Sequence, residues 1–253
     1  MTVKELYLKI CERIPESLRE PWDNDGLMCC ADSSAEVSRV LVTLDVTEEI
    51  VDYAIQSGFD LIVSHHPLIF KPISAVTDDG HIARKVIKLI SNGVAVFSFH
   101  TRADKVEGGV NDILADVIGL GDTTPFGEGD LGRIGELGEE CTLDDFAYRI
   151  KELLGADSVR VADGYNSVNR IAVCGGDGKS LVRDAIAAGA DTFVSGRIGY
   201  NVMEEAQEMG INLVEAGHYF TEQPVTGFFY ELLRDADPTL EIETTSSNNI
   251  KTY

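Results

Sequence analysis

Four of the five histidines in the chain end an apolar run or closely follow one. His65 and His66 close LIVSHH, His100 closes VAVFSFH, and His218 closes INLVEAGH. Carboxylates stand beside them. Asp104 follows His100 by four residues in HTRAD, and Glu222 follows His218 by four in HYFTE. Such a step puts both side chains on one face if the segment is helical. Imidazole and carboxylate form the ligand set for zinc, manganese or iron. Three histidines and two carboxylates exceed what one tetrahedral ion needs. With a bridging carboxylate they suit two ions about 3.5–4 Å apart. Each histidine also has a plainer reading as a hydrogen-bonded core residue. That reading suits His81, at a helix start, and His100. It suits the adjacent pair His65-His66 less well, because two uncompensated buried imidazoles are costly. Spacing alone leaves both readings open.

The elements that must position these residues alternate between short β-branched runs and amphipathic stretches. Thr2 and Glu5 form a capping box, so a first helix is expected to about Ile14, ahead of Pro15. Strands are expected at Arg39–Val46, Asp60–Ser64 and Val94–Phe99, and helices from Thr47 to about Gly58, at His81–Asn92 and at Val110–Ile118. Gly119–Gly132 holds five glycines and reads as a surface connection. Beyond it, Thr142 caps a helix to Leu154. Strands follow at Ser158–Ala162, Arg170–Cys174, Asp191–Ser195 and Ile211–Glu215. Helices are expected at Lys179–Ala188, Tyr200–Met209 and from Thr221 to Arg234. Strands separated by helices imply an α/β fold with largely parallel pairing. In a parallel sheet the carboxyl ends of the strands form the ligand crevice, and the histidines fall there.

A shift of 131 residues lays Arg39–Ser64 on Arg170–Ser195 without a gap. Arg39 meets Arg170, Gly58 meets Gly189, Asp60 meets Asp191 and Ser64 meets Ser195. Any two strand–helix–strand units look somewhat alike, but this phase also suits two related halves, expected at 1–125 and 126–253.

Composition narrows the function. With 44% apolar and 25% charged residues the chain reads as a soluble globular protein, with no apolar run of the roughly 20 residues a membrane span needs. The first residues carry no cleavable apolar core, and five cysteines without a C-x-x-C pair fit a reducing cytoplasm. A net charge of −22 repels a phosphate backbone and disfavours nucleic acid as a partner. Cys174-Gly-Gly-Asp-Gly178 follows a strand and precedes a helix, so its amides are candidates for holding an anion.

The stretches WDNDGL (Trp22–Leu27), SHHPLIF (Ser64–Phe70), HTRAD with GGVNDILADVIGL (His100–Leu120), CGGDG (Cys174–Gly178) and EAGHYFTE (Glu215–Glu222) resemble the Nif-three-like dinuclear metal centre family. Its members are often labelled GTP cyclohydrolase I type 2 homologues. The motifs run in the family's order over most of the chain. The resemblance implies two similar α/β halves facing each other around a dinuclear metal site, without a middle insertion domain, assembled as a homohexamer. It implies His65, His66, Asp104, His218 and Glu222 as metal ligands and leaves His100 to orient the Asp104 loop. Asp23-Asn24 belongs to the same motif set and reads either as site lining or as a turn.

Two positions depart from the family pattern. Arg197 stands where an aspartate is usual, and Asn201 where a histidine is usual. HTRAD also replaces HTNLD, which adds Arg102. The expected function is a cytoplasmic metal-dependent hydrolase with two divalent ions (iron, manganese or zinc), acting on a nucleotide or another phosphate-bearing small molecule. Water activated by the ions is the expected nucleophile. Lys71, Arg102, Lys105 and Arg197 are the candidates for holding substrate anions. The alternatives are metal storage or delivery without turnover, or a hexameric adaptor.

Overall fold

The computed structural model describes residues 1–252. In chain order the first elements are α1 (Val3–Arg13), β1 (Gly26–Cys29), β2 (Arg39–Thr43), α2 (Glu48–Gln56), β3 (Leu61–Ser64), α3 (His81–Ser91), β4 (Ala95–Ser98), α4 (Thr101–Lys105) and α5 (Val110–Ile118). Then come β5 (Gly121–Phe126), β6 (Gly132–Cys141), α6 (Leu143–Leu154), β7 (Arg160–Ala162), β8 (Val168–Asp177), α7 (Val182–Ala187), β9 (Thr192–Arg197), α8 (Tyr200–Glu204) and α9 (Ala206–Met209). The chain closes with β10 (Asn212–Glu215), α10 (His218–Glu222), α11 (Val225–Ala236) and β11 (Glu241–Thr244). Local chemistry sets several boundaries. Thr2 and Glu5 form the capping box of α1, while Thr47 and Thr142 accept backbone N–H bonds at the starts of α2 and α6.

The chain divides into two compact α/β units. Unit 1 is Met1–Ala103 with Val225–Asn249, and unit 2 takes in Asp104–Pro224. These bounds differ from the expected halves 1–125 and 126–253. The expected break lay in the glycine-rich stretch, whereas the chain changes unit inside α4 and again at Pro224. As a result α5, which follows α4, packs on β6 and β8 of unit 2, and α11, which follows α10, packs on α1, β2 and β11 of unit 1.

The sheet of unit 1 runs β1-β4-β3-β2-β11, parallel except for β1. Leu41, Ile62 and Val96 turn one face toward α2 and α3, where they meet Ile50, Ala54, Val86 and Leu89. On the other face Tyr7 of α1 meets Phe97 edge to face, and Phe229 of α11 meets Phe99. The sheet of unit 2 runs β5-β6-β8-β9-β10-β7. Ile171, Val173, Val194 and Val214 pack with Leu114, Phe146 and Ile150. Their neighbours Ala172, Cys174, Phe193 and Leu213 pack with Leu181, Val182 and Ala206 on the opposite face. Strands covered on both faces read as continuous apolar runs, which is why these were visible in the sequence.

Several expectations need correction. Only β8, β9 and β10 pair in parallel in unit 2, while β5, β6 and β7 add antiparallel ladders. Gly119–Gly132 holds β5 and the start of β6, not a plain connection. Gly119, Gly127 and Gly129 take positive φ, and other glycines of this region allow close packing. A Cβ at Gly132 would run into the Phe126 ring, and one at Gly135 of β6 would lie 2.7 Å from the Gly121 carbonyl. The helix expected from Thr221 to Arg234 is two helices, because Pro224 has no N–H to continue α10. Tyr200–Met209 is likewise split into α8 and α9. Strands β1 and β11 carried no recognised signal. Among the described residues no helix is long and apolar enough to cross a membrane.

The internal repeat is real in the backbone. In unit 1 Val40 pairs with Leu61 and Thr43 with Ser64. In unit 2 Ile171 pairs with Thr192 and Cys174 with Ser195, the same register under the same shift. The Asp60 carboxylate accepts the Ser38 and Arg39 N–H groups, and the Asp191 carboxylate accepts those of Asn169 and Arg170. Gly58 and Gly189 both adopt positive φ, of 70° and 83°, at the matching helix ends. Each aspartate fixes the entry of one strand against its neighbour. Asp60→Ala and Asp191→Ala are therefore each expected to destabilise by about 1–3 kcal/mol. The change would be read as a lower urea midpoint at unchanged slope.

Candidate metal centre

Strands β3 and β4 lie side by side and parallel, with Ser64 opposite Ser98. Their carboxyl ends therefore deliver His65, His66 and His100 to one edge of unit 1. The Ser64 and Ser98 hydroxyls lie 2.9 Å apart, and Ser64 Oγ also donates to the His66 carbonyl at 2.9 Å, which fixes the turn. One ligand atom from each of the three rings lies within 4.8 Å of the others. His65 is fully buried, whereas His66 and His100 are partly exposed.

The decisive feature is what holds each ring. His65 Nδ1 lies 3.0 Å from the Phe99 carbonyl oxygen, His66 Nδ1 lies 2.7 Å from Asp45 Oδ1, and His100 Nδ1 lies 2.8 Å from Asp23 Oδ1. A carbonyl and two carboxylates only accept, so each Nδ1 donates, the arrangement that suits ligation through Nε2. Metal-binding histidines are held in this way. Asp45 is held in turn by Ser247, which donates to Asp45 Oδ2 at 2.9 Å and accepts the Asp45 N–H at 3.1 Å. Asp23 also takes the Thr101 N–H and hydroxyl. Burial works to raise the Asp23 carboxyl, but the His100 and Thr101 bonds outweigh it and hold the group well below the usual carboxylate range.

In unit 2 β8, β9 and β10 are parallel, and α10 starts directly beyond the carboxyl end of β10. His218 and Glu222 sit one helical turn apart, with Nε2 and Oε2 3.0 Å from each other. Glu222 is buried and His218 half exposed. Glu222 lies over the Gly175-Gly176 turn. A Cβ at Gly176, where φ is 64°, would collide with Glu222 Oε1 and come within 3.2 Å of His218 Nε2. Asp104 is the penultimate residue of α4, and its carbonyl accepts Asn111 Nδ2 at 3.2 Å. Burial, and then the Asp104, Glu222 and Asp177 carboxylates, push the Cys174 thiol far up, so both expected carboxylate ligands act on the same neighbourhood of unit 2.

The 131-residue shift explains the division of labour. Asp45 of unit 1 falls on Gly176, and His65 on Gly196. A Cβ at Gly196 would lie 2.6 Å from Thr221 Oγ1 and 2.7 Å from His218 Cα. Unit 1 thus carries donors at its strand ends. Unit 2 carries glycine there, and the vacated space takes the donors of α10.

Other sequence expectations fare differently. Arg102 is not a substrate residue. Its side chain is fully buried, with Nε donating to Asp25 Oδ2 at 3.1 Å, Nη1 to the Ile14 carbonyl at 3.1 Å, and the guanidinium over the Phe99 ring at 4.8 Å. It ties α1 to the strand ends, a packing role that the loop-like context of HTRAD did not reveal. The CGGDG amides do not wait for an anion. Gly175 donates to Asn111 Oδ1, Gly176 to Thr221 Oγ1 and Gly178 to Ser195 Oγ. Lys105 is half buried, and Arg197 is exposed at the end of β9. Asp45 was missed, although it lies two residues beyond the carboxyl end of β2, the strand beside the histidine strand, and obeys the same carboxyl-edge logic.

A family model described as Duf34/NIF3 (NGG1p interacting factor 3) matches residues 1–252. The chain belongs to the Duf34/NIF3 family. It is 37% identical over 232 residues to a protein of Clostridium perfringens named GTP cyclohydrolase 1 type 2 homolog, covering 89% of this chain and 88% of that one. A protein of Clostridium acetobutylicum with the same name is 33% identical, over 100% of this chain and 98% of its own. A hypothetical protein of Staphylococcus aureus with a crystal structure superposes at a TM-score of 0.89 with 27% identity, over 100% and 99% of the two chains. This Duf34/NIF3 chain therefore shares the fold of its relatives from end to end.

The glycine cradle is directly testable. Gly176→Ala is expected to destabilise by about 1–3 kcal/mol, from the left-handed backbone and the collision with Glu222. Gly138→Ala, where a Cβ would meet open space, should leave the urea midpoint close to that of the parent chain.

Proposed function

We propose that the protein is a metal-dependent hydrolase of small phosphate-bearing molecules, with two divalent ions (iron, manganese or zinc) held by His65, His66, Asp104, His218 and Glu222. The observation that carries this reading is the anchoring of every imidazole in the unit 1 cluster through Nδ1 to an oxygen acceptor. It places a proton on Nδ1, which suits ligation through Nε2, and fixes ring orientation in advance of binding. The donor set, imidazole with carboxylate, fits borderline divalent ions and excludes none of the three. Bound there, such ions supply Lewis acidity and bring the pKa of water toward neutrality.

The chain's own residues do the rest. The Asp45–Ser247 pair keeps His66 from rotating, and Asp23 with Thr101 keeps His100 in place. The Gly175-Gly176 turn lets Glu222 reach its position from α10. Among the described residues, neither Cys174 nor Thr221 is set up as a nucleophile. The Cys174 thiol is buried and its pKa is raised, so it carries no thiolate at neutral pH. The Thr221 hydroxyl lies within hydrogen-bond distance of the Gly217 and His218 carbonyls. Water is the remaining nucleophile. The name shared by the two Clostridium relatives makes nucleotides the first substrates to try. The reading includes a cytoplasmic ring of six copies, which light scattering would check.

Metal content per chain, measured by mass spectrometry on protein purified without chelator or affinity-tag metal, tests the proposal. The parent chain should hold about two ions, and His218→Ala should lose most of them. Asp45→Ala should fold and bind with about 10–100-fold lower affinity, as expected when the carboxylate behind a ligand is removed. Absence of metal after reconstitution with iron, manganese and zinc would sink the reading.

A further inference from the structure

Beside the histidine cluster stand two aromatic rings that the proposed ligand set does not use. Trp22 is 60% exposed and Phe70 is 42% exposed. Neither floats. The Trp22 ring meets Phe70 at 6.3 Å and 76°, and His100 at 6.3 Å and 79°, while Phe70 meets His100 at 5.8 Å and 87°. All three contacts are edge to face, the geometry favoured by ring quadrupoles.

The backbone carrying the rings is also fixed. Asp23, next to Trp22, is bonded to His100 and Thr101. Asn24 Nδ2 donates to the carbonyl of Ile69, next to Phe70, and so ties the two loops together. A partly buried polar frame thus holds two large apolar rings partly in water. Exposed apolar surface kept rigid next to a polar cluster marks a binding site, because the cost of ordering it is met before the ligand arrives. The rim is two rings wide, with the charged, exposed Lys71 directly after Phe70. That size matches one planar heterocycle better than a protein face, which needs a far broader patch.

We propose that Trp22 and Phe70 form an aromatic rim that stacks the base of a nucleotide beside His100. This rests on the reading of the site as one for small phosphate-bearing molecules and names the part of the substrate that the histidines and carboxylates do not recognise. Stacking is tolerant of base identity because every base has a π face. The rim therefore selects for a planar ring and leaves the choice among bases to other contacts.

Trp22 is the sole tryptophan of the chain, so its emission reports on the rim alone. The intact protein, metal-loaded and EDTA-treated, would be titrated with GMP, AMP, CMP and UMP, and with ribose 5-phosphate, which keeps sugar and phosphate but lacks the ring. At least one nucleotide should quench saturably in both forms, and ribose 5-phosphate should not. Phe70→Leu should weaken nucleotide binding about tenfold while keeping metal content and particle mass. Flat emission with all four nucleotides, an equal response to ribose 5-phosphate, or unchanged affinity in Phe70→Leu overturns the proposal. So does a fall in particle mass in that variant, which would make the rim a contact between copies. If no metal binds but quenching persists, the hydrolase reading fails and the rim stands. If metal binds without quenching, the rim alone fails.

Discussion

Parallel pairing in register is the constraint on which the rest of this protein depends. In unit 1 it brings the carboxyl ends of β3 and β4 level, so that His65, His66 and His100 leave the sheet together. In unit 2 it does the same for β8, β9 and β10, so that the Gly175-Gly176 turn lies under α10. A slip of one residue would turn each apolar strand inside out and scatter the donors to opposite faces. The aspartates at positions 60 and 191 guard against it by holding the backbone where each strand begins.

The two units show how one backbone plan carries two kinds of edge. Where unit 1 has Asp45 and His65, unit 2 has Gly176 and Gly196 by the same sequence shift. Side chains at the strand ends in one case, and empty space in the other, are complementary solutions to placing oxygen and nitrogen donors at a strand end. The glycines are required by sterics, since His218, Thr221 and Glu222 occupy the volume where a Cβ would lie. The exchange of helices α5 and α11 between repeats follows from chain connectivity. In the chain α5 follows the strands of unit 1 but belongs to unit 2, and α11 follows those of unit 2 but belongs to unit 1.

Around the histidines the polar chemistry is organised in shells. Carboxylates and a carbonyl fix the rings, and Ser247 and Thr101 then fix the carboxylates. Ser247 comes from the segment after β11, far along the chain from Asp45. Arg102 and Asp25 form a separate buried pair beneath this layer. Burial raises the Asp25 carboxyl more than the Arg102 charge and the His100 N–H lower it. That pair ties the end of α1 to the backbone of His100.

The sequence by itself determined the elements whose signals are local. These are the capped helices α1, α2 and α6, the apolar strands buried on both faces, the repeat, and the placing of histidines at strand ends. It also carried the motifs by which the family and the five proposed ligands were recognised. Only the tertiary structure decided which residue stands behind each histidine of unit 1, because Phe99, Asp45 and Asp23 reach the rings, and Ser247 reaches Asp45, across sequence separations that no local pattern encodes. It moved Arg102 from substrate binding to the core. It turned a glycine-rich stretch into paired strands, because close approach of backbones and a loop require the same residue. It also showed that the CGGDG amides are already bonded. These outcomes depend on volume and on hydrogen-bond partners, and neither exists until the strands are aligned.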